Sequence, residues 1–424
     1  MPQQPSHPDS AAAETDDLPD ALRWRVIVLC ALVCLLDGFD MVVAPVSIPT
    51  LAGDWQLAPS AFSTALAAAV LGTGIGAAFI APLGDRFGRR PLVIGSFAMV
   101  ALCTLATPLI HSVNQLTALR FATGLGLGAS LANAIALASE YAAPHLRSRI
   151  VACVYATSAL GGAVGASIAP YLLGNWGWQG VYVFGGAAPL VLMPLLFAGL
   201  AESRRFLAER AGAGTAVAAD SAGSMERLRA LLQPPHRAST VLLWSLFFLS
   251  TFCTYMMSSW LPTLMHLSGW SMEDAVRSVM VFSFGGVIGG FIQGWMVDRG
   301  RILPAISLGF GITALSLAAL NIAPLHTGLW LFLITVMGAG NMGVAYALTS
   351  FAAIVYPTGL RASGIGAAGA CGRFGATLAP LIGGWLLAQQ LAALQILTGL
   401  IIPMAAALLL VLVFAGRFRA AATH

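Results

Sequence analysis

Two carboxylates, Asp37 and Asp40, stand inside the otherwise apolar run "LCALVCLLDGFDMVVAPVSIP" from Leu29 to Pro49. Three residues apart, they share one face of a helix, with Cβ atoms roughly 5–6 Å apart. For a helix starting near Trp24, Asp37 lies about 20 Å along the axis at a rise of 1.5 Å per residue, close to the middle of a bilayer. An ionised Asp at that depth costs roughly 2.5–3.5 kcal/mol on insertion scales, so the pair must face an internal cavity. Two carboxyls this close in a low dielectric titrate as a unit, which lets them hold or release a proton. One of them can instead bond an unwound segment at Gly38.

The matching cations are Arg120 in "LTALRFATGLGLGAS" and Arg373 in "ACGRFGATLAP", the arginines that fall within apolar segments, one in each half of the chain. A guanidinium keeps its proton, and its fork matches a carboxylate bidentately. Either arginine can hold an anionic ligand. Arg120 has an alternative, an ion pair with Asp37, Asp40 or Glu140. Phe39, Phe374, Tyr255 and Trp260, with Tyr155 and Tyr346, are candidates to line an apolar cavity where an aromatic ring can stack, although each alone also fits ordinary helix packing.

The scaffold that positions these residues follows from composition. The 424 residues are 58% hydrophobic and 9% charged, with a mean hydropathy of +0.84, too few charges for a soluble surface. About twelve apolar stretches approach the ~20 residues that a hydrocarbon core requires. They fall at 24–49, 59–83, 89–109, 113–139, 147–173, 178–200, 239–266, 274–297, 301–322, 326–352, 360–387 and 391–415. A backbone in lipid must satisfy its own hydrogen bonds, and the ten-residue alternation of barrel strands is missing, so these are helices. All basic residues are arginine, and outside the spans they collect in alternate connections and the two tails. By the positive-inside rule that side is cytoplasmic, both termini included, in a multi-pass inner-membrane protein. The net charge of +4 is thus a topology signal and no reason to invoke nucleic acid. Residues 1–22 read as a disordered tail.

Internal repetition divides the chain in two. "GAVGASIAP", Gly162 to Pro170, returns as "GRFGATLAP", Gly372 to Pro380, an offset of 210. "GDRFGRR" returns as "VDRGR", with Asp85 and Asp298 213 apart, and Pro144 and Pro357 share that spacing. Arg373 therefore matches Ala163, a charge added to one copy only, which favours it over Arg120 as a ligand for an anion. The repeats predict an N-terminal six-helix half over 23–200, a linker over 201–238, a second half over 239–416 and a tail over 417–424, related by an axis along the membrane normal.

On these features the chain resembles the major facilitator superfamily. Its loop signature G-x-x-x-D-R-x-G-R-R is matched by "DRFGRR" with Ala81 at the first glycine, and the second copy keeps Gly294, Asp298, Arg299, Gly300 and Arg301. "AESRRFL", Ala201 to Leu207, resembles P-E-S-x-R-F-L with alanine replacing proline. The D-G-[FY]-D element, Asp37 to Asp40, resembles that of the aromatic acid:proton symporters. The resemblance implies an all-α fold of twelve transmembrane helices in two six-helix pseudo-repeats, import of an aromatic carboxylate with protons, and a carrier able to work as a monomer. It also implies a cytoplasmic latch that favours one gating state, read here in Asp85, Arg86, Arg89, Arg90, Glu140 and Arg147, with Asp298, Arg299 and Arg301 in the second copy.

Other chemistries find no support in the sequence. H-E-x-x-H, G-x-S-x-G and P-loop motifs are missing, and His111, His266 and His326 fall in predicted external loops far apart in sequence. "GTGIG" at 72–76 and "GLGLG" at 124–128 lie in apolar helices with no preceding strand, so they read as helix-packing elements. The six cysteines sit within spans; Cys30 and Cys34 share a face without a His or acidic neighbour, and neither metal nor disulfide is expected. Without an ATP-binding segment, the expected energy source is a proton gradient and no cofactor. Two further readings stay open: an exporter of drugs or metabolites working by proton antiport, and a membrane sensor without sustained flux.

Overall fold

The computed structural model describes residues 19–143, 145–210, 221–322 and 326–422. Most of the expected N-terminal tail, Pro144 of the repeat and the middle of the linker lie outside the described residues. Among the described residues eleven helices are long and apolar enough to cross a membrane. One of them, Arg149–Gly199, has 51 residues, about twice the length a bilayer needs. It is broken at Gly177, whose φ of 64° and ψ of −167° leave helical space. Two spans result, and the total is twelve.

We number them α1 (Asp20–Trp55), α2 (Pro59–Ile80), α3 (Arg89–Leu109), α4 (Val113–Tyr141), α5 (147–176), α6 (178–199), α7 (Arg237–Leu267), α8 (Met272–Asp298), α9 (Ile302–Ile322), α10 (Thr327–Val355), α11 (Thr358–Ala388) and α12 (Ala393–Ala415). Short helices at Arg204–Arg210 and Ser221–Leu231 lie between α6 and α7. Caps at the span ends come from the sequence: Ser112 accepts from the Gln115 amide before α4, and Ser271 from the Asp274 amide before α8. Gly88 and Gly300, in the two copies of the arginine-rich loop, take left-handed φ values of 98° and 73°, which a side chain would resist. One arginine departs from the expected pattern: Arg277 falls neither among the arginine-rich connections nor with Arg120 and Arg373, but near the start of α8, where it pairs with Glu273 and Asp274 one turn below.

Glycines set how closely the helices cross. A Cβ on Gly38 of α1 would sit 1.7 Å from the Ser158 carbonyl oxygen of α5, and one on Gly161 of α5 equally close to that of Leu35. The contact is reciprocal, backbone on backbone. Gly72 and Gly76 of α2 meet α4 in the same way, and Gly285 and Gly289, each 213 residues later, meet α10. The apolar glycine segments are therefore helix crossings, repeated in each half.

The arrangement of the core separates the two faces of the protein. On the arginine-poor side, the ends of α1, α2, α4, α5 and α6 share one continuous hydrophobic cluster with the second half. There Gly384 of α11 fits against Ser60 and Ser63 at the start of α2. On the arginine-rich side, Val26–Cys34, Val93–Phe97, Ala134–Tyr141 and Leu192–Leu200 form a cluster confined to the first half. The two halves share a hydrophobic cluster on one side and do not share one on the other. The expected result of Gly38→Ala is loss of monodisperse folded protein on size-exclusion chromatography in detergent, while Gly95→Ala, which meets open space, leaves the profile unchanged.

Candidate functional site

A charge pair lies buried within the first half. Arg120 of α4 donates from Nη1 to Asp40 Oδ2 at 3.0 Å, and the two side chains are 1% and 3% exposed. Thr104 of α3 donates to Asp40 Oδ1 at 2.8 Å, and Arg120 Nη2 reaches the Thr104 and Thr123 hydroxyls at 3.3 and 3.5 Å. The Tyr182 ring of α6 lies 5.4 Å from the guanidinium, its hydroxyl held by Ser47 at 3.1 Å. A charge pair taken out of water persists only when most of its remaining donors and acceptors are met; four helices supply partners here for both Asp40 oxygens and both Arg120 Nη atoms, and Arg120 Nε alone of the pair is left without one. This pair ties α1, α3, α4 and α6 together.

Asp37 is placed differently. It is 3% exposed; Oδ2 accepts from Ser158 of α5 at 3.3 Å, and the buried Oδ1 has no partner. Facing it from the second half is Arg373 of α11, whose Cδ lies 3.5 Å from where a Cβ on Gly74 of α2 would stand. The Arg373 side chain is exposed and makes neither hydrogen bond nor ion pair among the described residues. Its charge acts on Asp37, Tyr155 and Tyr255. An unneutralised cation, an acid with a bare oxygen and two phenols therefore share the space between the halves. Such a space suits a small organic anion with an aromatic ring.

The charges on the arginine-rich side form a clamp. Arg89 bridges Glu140 and Asp85, the latter at 3.1 Å. Glu202, just past α6, accepts through Oε1 from the Arg89, Arg90 and Ser203 amides at 2.8, 3.1 and 2.7 Å, so its carboxylate caps the start of α3. Ser203 donates to Glu140 at 2.6 Å, Tyr141 donates to the Glu202 carbonyl at 2.8 Å, and Arg90 to that of Phe197 at 2.6 Å. All of these residues belong to the first half and the segment that follows it.

The description "Major Facilitator Superfamily" belongs to the family model that matches residues 30–380. The chain belongs to this superfamily. It is 32% identical to a gallate transporter of Pseudomonas putida, with 92% of each chain covered. It is 33% identical to a 4-hydroxybenzoate transporter of Pseudomonas aeruginosa, with 91% of each covered. A 3-(3-hydroxy-phenyl)propionate transporter of Escherichia coli shares 34% over 85% of this chain and 86% of its own. Among solved structures, a D-xylose-proton symporter superposes with a TM-score of 0.71 at 17% identity, covering 91% of this chain and 97% of that one. The fold is thus that of the superfamily, and the protein is a membrane transporter and not an enzyme.

Within this superfamily fold, the residues singled out by the sequence divide between the alternatives it left open. Arg120 forms the ion pair with Asp40, the alternative to holding a ligand. Phe39 is buried at 3% exposure against Gly165 and Gly185, tilted onto Phe184 at 5.5 Å, and is a packing residue. Trp260 is fully buried, with Nε1 donating to the Pro380 carbonyl at 3.1 Å, and it seals α7 to α11 rather than lining the cavity. Phe374 turns beside Phe248 into a groove of about 650 Å³ between α7, α11 and α12. Tyr255 stays within reach of Arg373. Arg86 lies over Phe87, and Arg147 is exposed at the start of α5. Asp298, Arg299 and Arg301 are exposed at the end of α8, with Arg299 3.8 Å over the Trp295 ring. Among the described residues no hydrogen bond or ion pair joins this second copy to the first-half clamp, which is why the expected latch is closed only within one half.

Tyr141, Thr104 and Ser158 were not singled out in the sequence, and Glu202 and Ser203 entered it only within the quoted element "AESRRFL". That element, with an acid two residues before the arginines of "ESRR" and directly after an apolar span, was the signal for Glu202. Asp40→Asn, which strands the buried guanidinium, is expected to cost roughly 3–5 kcal/mol of stability, read as thermal unfolding in detergent, whereas Asp37→Asn leaves the midpoint unchanged. Glu202→Ala uncaps α3 and is expected to cost roughly 0.5–2 kcal/mol in the same assay.

Proposed function

We propose that the protein is a secondary transporter that imports an aromatic carboxylate together with one or more protons across the inner membrane. The observation that carries this reading is the unpaired Arg373 guanidinium facing Asp37 across the space between the halves. The kinship with carriers whose printed substrates are aromatic acids supports the substrate class. The arginine-rich side, with both termini, is taken as cytoplasmic. The side on which the halves share no hydrophobic cluster then faces inward.

The cycle follows from the charges. In the outward-open state Asp37 takes a proton and Arg373 binds the substrate carboxylate, so the loaded interface carries no unmatched charge. The halves can then rock about their joined contacts, because crossing with a bare carboxylate or a bare guanidinium in low dielectric is penalised. Inside, the carboxylate leaves, Asp37 loses its proton to the less acidic cytoplasm, and the attraction between Asp37 and Arg373 favours the return of the empty carrier. Asp40, held by Arg120, keeps the first half rigid through both states. No cofactor takes part, and one chain suffices.

The test is uptake of labelled 4-hydroxybenzoate into proteoliposomes with and without an inward proton gradient. Wild type is expected to accumulate substrate only with the gradient, and Asp37→Asn to lose that accumulation while retaining exchange of substrate for substrate. Arg373→Lys, which keeps the charge and loses the planar fork, is expected to weaken apparent affinity by about tenfold. Uptake indifferent to both the gradient and Asp37→Asn would overturn the symport reading.

A further inference from the structure

The seven tyrosines fall into two groups. Tyr141 donates to Glu202, Tyr182 is held by Ser47, Tyr171 meets Trp176 edge-on at 6.1 Å, and Tyr356 is packed out of reach of any ligand, fully buried against Gly364 with its hydroxyl unbonded. Tyr155 of α5, Tyr255 of α7 and Tyr346 of α10 make no hydrogen bond and no ring contact among the described residues. Tyr155 and Tyr346 are 50% and 42% exposed, and Tyr255 is half-buried.

These three converge. Tyr155 lies within electrostatic reach of both Tyr255 and Tyr346. Tyr155 and Tyr255 also reach Asp37 and Arg373, and the Tyr346 ring is seated on Gly290, 3.0 Å from where a Cβ would be. A tyrosine facing lipid belongs at the membrane interface, where its hydroxyl meets headgroups and water. Tyr155 instead sits one turn before Ser158, which bonds Asp37, and Tyr255 one turn after Thr251, which bonds the Gly372 carbonyl beside Arg373. A phenol hydroxyl placed there is costly unless a ligand or cavity water satisfies it.

We propose that Tyr155, Tyr255 and Tyr346 read ring hydroxyl groups on the aromatic acid whose carboxylate Arg373 holds, so that the site selects hydroxylated rings over the unsubstituted ring. The proposal rests on the reading of Arg373 given above. A bare ring displaces water from the three hydroxyls and returns no hydrogen bond, whereas a phenolic substrate replaces those bonds; a site built in this way discriminates by polar loss rather than by size. Tyr155 belongs to the first half and the other two to the second. A hydroxylated ring therefore also touches both halves.

The experiment is competition of unlabelled benzoate, 4-hydroxybenzoate and 3,4-dihydroxybenzoate against labelled 4-hydroxybenzoate uptake, in wild type and in Tyr155→Phe, Tyr255→Phe and Tyr346→Phe. Each variant keeps the ring and removes one oxygen. Wild type is expected to favour a hydroxylated acid over benzoate by about tenfold or more, and the tyrosine variants to move that ratio toward one. Equal inhibition by all three acids in wild type, an unchanged ratio in all three variants, or a loss of affinity uniform across the panel would overturn the proposal. Unselective uptake that still depends on Arg373 overturns this proposal alone. Failure of every acid to enter or compete, with Arg373→Lys silent, overturns the transport reading as well.

Discussion

The rest of the site depends on the ion pair between Asp40 and Arg120, sealed inside the first half. A carboxylate and a guanidinium that meet out of water commit to each other, because parting them strands a charge in low dielectric. That commitment decides the role of the other two charges. Asp37 keeps an oxygen without a partner, and Arg373 keeps a whole guanidinium. One lies in each half, so among the described residues this unmet acid and this unmet cation face each other across the interface between the halves.

The proposed rocking of the halves about that interface requires stiff bodies. The α1 and α5 helices touch backbone to backbone at Gly38 and Gly161, and the same device joins α2 to α4 and α8 to α10. Such crossings leave no side chain to repack, so each half resists deformation and displacement concentrates where the core is interrupted. The interruption is visible: one hydrophobic cluster spans both halves on the arginine-poor side, and a separate one stays within the first half on the other. The clamp of Arg89, Glu140, Glu202 and Ser203 stiffens that free end by capping α3 and tying it to α4. Its members lie inside one half, which fits a brace for a moving body better than a bolt between two.

Much of this was legible in the sequence. Twelve apolar runs, arginines in alternate connections and repeats near a spacing of 210 gave the fold class, because in lipid the backbone has few options and composition alone records the solvent. The break at Gly177 that makes two spans of one long helix was legible too, as the gap between the runs ending at 173 and starting at 178. Asp37, Asp40, Arg120 and Arg373 stood out because an apolar run does not carry a charge without cause.

What the sequence could not determine is which of these charges are spent. Asp37 and Asp40 look equivalent three residues apart, and a helix wheel puts them on one face; only the packing of α3 and α4 against that face gives Asp40 its arginine and threonines and leaves Asp37 with a single serine. Likewise Trp260 and Phe374 are apolar aromatics in spans, and nothing local says that one reaches the Pro380 carbonyl while the other enters a groove beside α12. The sequence by itself determined the solvent, the number of helices and the inventory of buried charge, since these follow from local composition. The tertiary structure decided the pairing, because partners 80 residues apart, as Asp40 and Arg120 are, meet only when helices from across the half are packed together.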